Sequence, residues 1–361
     1  VTDSAPATAR DGIALATARY STLAGRPARP LGTGLINDTF LVDGRDGPAV
    51  LQRVHPAFGP RVHEDIAAVT ARIALAMPTP RLLPADDGAL FVLDPRDGRP
   101  WRAMTFVPGI ALDKADSPAR VRAAGALVAR WHRALEGWSY EYVHVRPGVH
   151  DTRHHLSVLR DALVQRRDHR LYDAVAPLAE ALFRGADTLA LAAEGAPLAA
   201  GPFAVHAHGD LKLSNLLFDP ATGEGACLVD LDTVCRMPWA LELGDALRSW
   251  CNPRGEDVTE ATVDRALFSA ALEGYREGAP SFLREIPAAE SAADGLATIA
   301  LELAARFLAD ALHERYFGFD ATRYPARGEH NLVRARGQWS LARDALAHRD
   351  ALVSLARDAL R

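Results

Sequence analysis

The stretch that most constrains this chain runs from Val205 to Thr233. A short apolar run leads into His206-Ala-His-Gly-Asp-Leu-Lys-Leu-Ser-Asn215, and a second leaves through Cys227-Leu-Val-Asp-Leu-Asp-Thr233. Between them lies Asp219-Pro-Ala-Thr-Gly-Glu-Gly225, a turn sequence, so residues 215–218 and 226–230 are expected to pair as a hairpin. Such a hairpin sets Asn215 beside Asp230, a few residues from Asp210 and Lys212. Phosphoryl transfer asks for this set: a carboxylate that takes a hydroxyl proton, oxygen ligands for Mg²⁺ and a cation for phosphate. Asp210 is the expected base, Asn215 and Asp230 the metal ligands, and Lys212 the cation. A plain hairpin with solvated turn acids does not explain why two aspartates, an asparagine and a lysine share these offsets.

The same stretch offers a rival. His206, His208 and Asp210 alternate as metallohydrolase ligands do on a strand. However, Leu211 follows the aspartate where such motifs place a further His, and His313 and His330 are isolated. His208 is therefore expected to buttress the loop rather than to bind metal.

Composition narrows the setting. A net charge of -5 gives no overall basic field for nucleic acid. No uncharged apolar run is long enough to span a membrane, and the N-terminal residues lack a signal-peptide pattern. Three cysteines without C-x-x-C pairing speak against a disulfide framework and suit a reducing, cytoplasmic location. A monomer or a dimer fits equally. Of 41 Lys and Arg residues, only Lys114 and Lys212 are lysines, so a lysine inside the candidate loop is informative.

In chain order, residues 1–12 read as a tail and 13–24 as a short helix. Roughly five short strands then occupy the first hundred residues, with a helix near 61–76 between the third and the fourth. Pro108-Gly109 closes this part. Helical periodicity follows over 117–136, twice within 152–192, and over 240–250, 258–276, 283–316 and 331–359. The expectation is an α+β chain of two lobes. Residues 1–108 form a small lobe with an antiparallel sheet and one helix. Residues 109–361 form a larger, mainly helical lobe carrying the catalytic loop at 206–215 and a metal-binding strand end at 228–232. A short connection at Val107–Ile110 suits a cleft with hinge motion.

Further candidates are single residues. Gly32-Thr-Gly34 is an incomplete glycine-rich motif at a turn where a phosphate-covering loop would sit, and a P-loop is excluded because neither lysine follows a glycine. The small lobe has no lysine, so strand residue Arg53 is the expected phosphate cation, paired with Glu64, or with Asp65 beside it, on the next helix. Period-2 alternation allows only Gln52 or Arg53 to face the cleft. Asp232 lies two residues after Asp230 and is read either as a turn cap or as a substrate contact. Arg306 sits in the apolar run Ile299-Ala-Leu-Glu-Leu-Ala-Ala-Arg-Phe-Leu308 and needs a carboxylate or a polar ligand. With Asn37 and Tyr316, Asp232 and Arg306 make up the expected acceptor contacts.

These motifs resemble the aminoglycoside phosphotransferase / choline kinase superfamily, which has a protein-kinase-like fold. Within it the chain is most similar to the N-acetylhexosamine 1-kinases, through Gly34-Leu-Ile-Asn-Asp-Thr-Phe-Leu-Val42, Leu51-Gln-Arg-Val54, Trp101-Arg with Phe106-Val-Pro-Gly109, Arg306-Phe-Leu-Ala-Asp310 and Asn331-Leu-Val-Arg-Ala-Arg336. The resemblance implies ATP, Mg²⁺ and transfer to the anomeric hydroxyl of a hexosamine. It puts the base at Asp210, the metal ligands at Asn215 and Asp230, and the nucleotide-linker backbone at Thr105, Phe106 and Val107. One departure is Gly209-Asp-Leu-Lys212 where the sugar-kinase pattern has Asn-Asp-Thr-Lys, which is closer to the broad superfamily. Aminoglycosides, choline and other amino alcohols are the alternative acceptors.

Overall fold

Strand alternation sorts the first hundred residues into two faces. In the computed structural model, which describes residues 7–32, 37–144, 148–189 and 203–361, six strands form one antiparallel sheet. They are β1 (Ala28–Pro30), β2 (Asp38–Gly44), β3 (Gly47–Arg53), β4 (Leu82–Leu83), β5 (Val92–Leu93) and β6 (Pro100–Thr105), in the order β1-β2-β3-β6-β4, with β5 also on β6. Phe40, Val42, Leu51, Trp101 and Ala103 fill a core on one face. Helix α1 (Ala7–Thr17) and the turns after it add Ala16, Tyr20 and Leu23 to that core. The helix therefore starts earlier than the sequence suggests, where residues up to 12 read as a tail. Gly12 lies so close to Trp101 and Arg96 that an added Cβ would fall within 2.9 Å of the indole, a close approach that periodicity does not reveal. Helix α2 (Val62–Ile73) buries Val62, Ile66, Val69 and Ile73. Its buried Asp65 accepts the amides of Val143 and His144, at 2.9 and 2.8 Å. Residues Glu141–His144 accordingly join Val1–Pro108 in one compact unit, and Gly109–Tyr140 with Val145–Arg361 form the second.

The second unit is helical. Its elements are α3 (Pro118–Ala134), α4 (Thr152–Gln165), α5 (Tyr172–Ala186), β7 (Ala204–Ala207), β8 (Leu216–Phe218), β9 (Gly225–Leu228), β10 (Cys235–Pro238), α6 (Trp239–Trp250), α7 (Arg265–Glu277), α8 (Ala288–His313), α9 (Arg327–Ala347) and α10 (Arg349–Leu360). The expected hairpin is present: β8 pairs with β9 in antiparallel register, Leu216 opposite Leu228. A second antiparallel pair, β7 with β10, closes the base of the loop between them. Helix α7 starts only at Arg265, although its pattern reads from 258, because Asp264 caps the amides of Ala266 and Leu267. The single helix read over 331–359 is two. The break falls at His348, whose ring bonds the Asp344 carbonyl at 3.0 Å while its backbone leaves helical geometry. No helix among the described residues is long and apolar enough to cross a membrane.

Helix α8 is the spine of this unit, and most of its length is buried. It crosses α6 at a glycine pair. A Cβ on Gly295 would fall 1.9 Å from the Ala240 carbonyl oxygen, and one on Gly244 would fall 2.3 Å from the Gly295 carbonyl oxygen. Both clashes are with backbone, so relief requires the helices to separate. Gly295→Ala is expected to lose about 1–3 kcal/mol of stability or more, read as a lower denaturation midpoint in urea.

Candidate active site

The loop between β7 and β8 has no ladder of its own, so side chains must satisfy its amides. Helix α6 supplies them. Glu242, fully buried, accepts the amides of His208 at 2.7 Å and Gly209 at 3.0 Å. One turn on, Asp245 accepts the Leu211 amide at 2.6 Å and is held by Arg248 at 2.7 and 2.9 Å. Trp250 then donates to the Leu211 carbonyl at 2.7 Å. Bonds to a charged acceptor contribute roughly 1.5–3 kcal/mol each, which offsets the burial of two carboxylates. Glu242 is held in turn from α3 and α7. Its carboxylate lies 3.6 Å from His132 Nε2, His132 Nδ1 meets the Tyr275 hydroxyl at 2.7 Å, and Trp239 donates to that hydroxyl at 2.9 Å.

Gly209 has φ +80°, and a Cβ there would come 2.4 Å from the Thr233 carbonyl oxygen. Only glycine fits such a position. His208 accepts the Asp210 amide on Nδ1 at 3.3 Å, so its proton is on Nε2, which donates to the Val229 carbonyl at 2.9 Å. His206 Nε2 donates to the Trp138 carbonyl at 2.8 Å. These bonds make His208 the buttress expected of it. Among the described residues no three His, Cys, Asp or Glu side chains gather to hold a metal.

On this frame three of the expected residues come together. Lys212 Nζ donates to Asp210 Oδ2 at 2.8 Å, and Asn215 Nδ2 donates to the same oxygen and to the Asp210 carbonyl, both at 2.9 Å. Burial alone would raise the Asp210 carboxyl. The Lys212 ammonium, its hydrogen bond and the more distant Arg248 outweigh burial and hold the carboxyl well below its ordinary value. Burial likewise opposes the Lys212 charge, and Asp210, Asp230 and Glu256 outweigh it and push the ammonium up. Asp230, two residues past β9, has φ +64° and ψ +61°, the left-handed region that costs a non-glycine residue about 1–2 kcal/mol.

The residues present fit Mg²⁺. Asn215 spends its amide protons on Asp210, which leaves Oδ1 as an acceptor. Asp230 adds a carboxylate whose charge reaches the Lys212 ammonium. A carboxylate and an amide oxygen, completed by phosphates and water, are the hard-oxygen set this ion takes.

The acceptor candidates are more dispersed. Asp232 is buried in the short turn Leu231–Thr233. Arg306, a quarter exposed, lies 4.0 Å from Glu302 and over the Phe317 ring at 5.6 Å. Tyr316 is exposed and meets Phe317 edge-on at 4.9 Å. Asp310 orders that turn by accepting the amides of Arg315, Tyr316 and Phe317, each at 2.9 Å.

In the sheet unit, Gly32 has φ +75°, and Gly34 lies outside the described residues. Thr105 ends β6, and Phe106 and Val107 follow without regular structure. Asn37 is buried and accepts the His55 amide at 2.8 Å. The expected Arg53–Glu64 pair is not formed. Glu64 bonds Arg61 at 3.2 Å. Arg53 bonds Asp97, lies 3.8 Å from Asp94 and sits over Trp101 at 5.9 Å. Alternation is the reason: Arg53 shares its face of β3 with Leu51 and the apolar core, and Gln52 takes the other face. There the Gln52 amide oxygen accepts two bonds from the buried Arg102, at 3.0 and 2.7 Å.

Sequence reasoning missed Glu242, Asp245, Arg248 and Asp310. The available signal was an acid inside an apolar helical run, as in Trp239-Ala-Leu-Glu-Leu-Gly-Asp-Ala-Leu247. The strain at Asp230 gives a test in which stability and activity part. Asp230→Gly is expected to hold or gain about 1 kcal/mol of stability, by urea denaturation, while lowering phosphoryl transfer about 10²-fold or more.

The sequence profile of a family described as "Phosphotransferase enzyme family" matches residues 27–281. Several solved structures share the fold. An aminoglycoside phosphotransferase from Alicyclobacillus acidocaldarius subsp. acidocaldarius DSM 446 superposes with a TM-score of 0.60 at 17% identity, over 99% of this chain and 98% of that one. A choline kinase from Cryptosporidium parvum Iowa II gives 0.58 at 10% identity, over 98% and 100%. A spectinomycin phosphotransferase in complex with ADP and spectinomycin gives 0.52 at 12% identity, over 97% and 98%. The fold is thus protein-kinase-like, an antiparallel-sheet unit and a helical unit.

Proposed function

We propose, given that this chain belongs to the phosphotransferase enzyme family, that it transfers the γ-phosphoryl group of ATP to a hydroxyl of a small molecule, the anomeric hydroxyl of an N-acetylhexosamine or related hexose being the favoured acceptor. The observation that carries this reading is the convergence of Lys212 Nζ and Asn215 Nδ2 on one carboxylate oxygen of Asp210, at 2.8 and 2.9 Å. That contact fixes the carboxylate in one rotamer and keeps it ionised. The acceptor hydroxyl donates its hydrogen bond to Asp210 and gives up its proton there as the new O–P bond forms and the bond to the β–γ bridging oxygen breaks. A carboxylate with so low an affinity for protons serves mainly to aim the hydroxyl, which suffices for a loose transition state. Lys212 offsets charge on the transferred group. Asn215 Oδ1 and the Asp230 carboxylate hold Mg²⁺, which supplies charge neutralisation at the phosphates. In the sheet unit, the backbone of Thr105–Val107 and the turn at Gly32 are the assigned nucleotide contacts.

For the acceptor, Arg306 favours a neutral or anionic molecule over a cation. A guanidinium stacked on Phe317 repels a quaternary or primary amine and hydrogen-bonds sugar oxygens well. Asp232 and Tyr316 are the other assigned contacts. The aminoglycoside and amino-alcohol reading is favoured by the proteins that share the fold, among them an aminoglycoside phosphotransferase, an aminopropanol kinase and a choline kinase.

An acceptor screen separates the two. ADP release from ATP and Mg²⁺ is expected with N-acetylhexosamines, together with an acid-labile sugar phosphate. Turnover only with choline, ethanolamine or aminoglycosides would sink the sugar assignment and leave the phosphotransferase reading intact. Asp210→Asn is expected to lower the rate by about 10²–10⁴-fold with ATP binding retained.

A further inference from the structure

A further buried carboxylate reaches the catalytic loop from α8: Glu302, which is 1% exposed. Its Oε2 accepts from Thr152 Oγ1 at 2.8 Å, and its Oε1 faces His150 Nδ1 at 3.1 Å and His155 Nε2 at 3.8 Å. The other ring nitrogen of His150 meets the carbonyl oxygen of Gly209 at 3.2 Å. That peptide bond joins Gly209 to Asp210, so His150 bridges α8 to the backbone of the proposed base. A carboxylate and a carbonyl are both acceptors, and an imidazole satisfies two acceptors only when both nitrogens carry protons. His150 also holds φ +51°, a left-handed backbone that costs about 1–2 kcal/mol and that the ring's two bonds compensate.

We infer that His150 is a positioning residue: an imidazolium, bridging Glu302 and the Gly209 carbonyl, that holds the Gly209–Asp210 peptide in its working orientation and releases it when deprotonated. The inference deepens the phosphotransferase reading of Asp210. It concerns only this chain's own groups.

The charges around the ring agree. Burial disfavours the imidazolium. Glu302, with Asp245 of α6 behind it, outweighs burial and the opposing Arg306, so His150 titrates above its ordinary value. On α4, burial lowers His155 to about 4, so it stays neutral and adds no competing charge. The sign of the linkage follows. A raised imidazolium pKa contributes stability that is complete below the unfolded value, about 6.5, and is lost as pH rises through the folded value. The loop should therefore loosen on the alkaline side.

The test is a titration of the full chain, read first by spectroscopy and then by turnover. Imidazole ¹⁵N–¹H correlation spectra are expected to show both His150 nitrogens protonated at pH 7, with a midpoint above about 6.5. The resonances are assigned by their loss in His150→Gln, or by their displacement in Thr152→Val should the first variant not fold. The Asp210 amide, on the same peptide bond as the Gly209 carbonyl, is expected to shift with that midpoint. Glu302→Gln should move both midpoints down together by about one pH unit or more. ADP release from Mg·ATP with the acceptor found by the screen should fall about ten-fold over the same range in kcat, with KM for ATP unchanged. A purely structural role would give none of these coincident midpoints. A singly protonated His150 at pH 7, or an Asp210 amide that ignores its titration, overturns the inference. Coincident midpoints without ADP release would instead count against the phosphotransferase reading and uphold the bridge.

Discussion

Two carboxylates of one helix holding the amides of one loop are the constraint on which the rest of this site depends. Glu242 and Asp245 accept from His208, Gly209 and Leu211. Removing either acid leaves buried donors unpaired, a loss of several kcal/mol rather than the modest net value of an ordinary hydrogen bond. Such a frame explains why the loop between β7 and β8 needs no secondary structure of its own. It also explains the choice of residues within it. Gly209 is required where the backbone turns left-handed against Thr233, and His208 ties the loop to the end of β9 through Val229. Asp210 is then aimed by its backbone before any ligand arrives, which is the preorganisation that positioning catalysis requires.

Much of this was legible in the sequence, unevenly. The hairpin of β8 and β9 was readable because a turn sequence separated two apolar runs, whereas the hydrogen bond from Asn215 to Asp210 within the loop was not. Nor was the support beneath. Glu242 and Asp245 lie in an apolar helix where a buried acid signals a partner, but the partner is a backbone amide, and amides carry no sequence signature. Arg53 shows a second limit. Alternation offered Gln52 or Arg53, and charge favoured Arg53. The deciding facts were cross-strand: Trp101 and the apolar core lie on the Arg53 face, and Arg102 lies beside Gln52. Helix ends failed for a third reason. Periodicity ran through Asp264 and His348, where single side chains cap or interrupt the backbone.

Helix α8 joins these parts within the helical unit. The glycine contact at Gly295 lets it lie against α6, the helix that carries Glu242 and Asp245. About two, three and four turns further along α8 come Glu302, Arg306 and Asp310. Glu302 reaches the catalytic loop through His150, Arg306 stacks on Phe317, and Asp310 orders the 315–317 turn. One rigid element thus sets both the orientation of the Asp210 peptide and the shape of the turn assigned to the acceptor. A displacement of α8 at Gly295 would be felt in both places at once. The proposed base and the proposed acceptor contacts therefore share a single mechanical reference, on which in-line attack would depend.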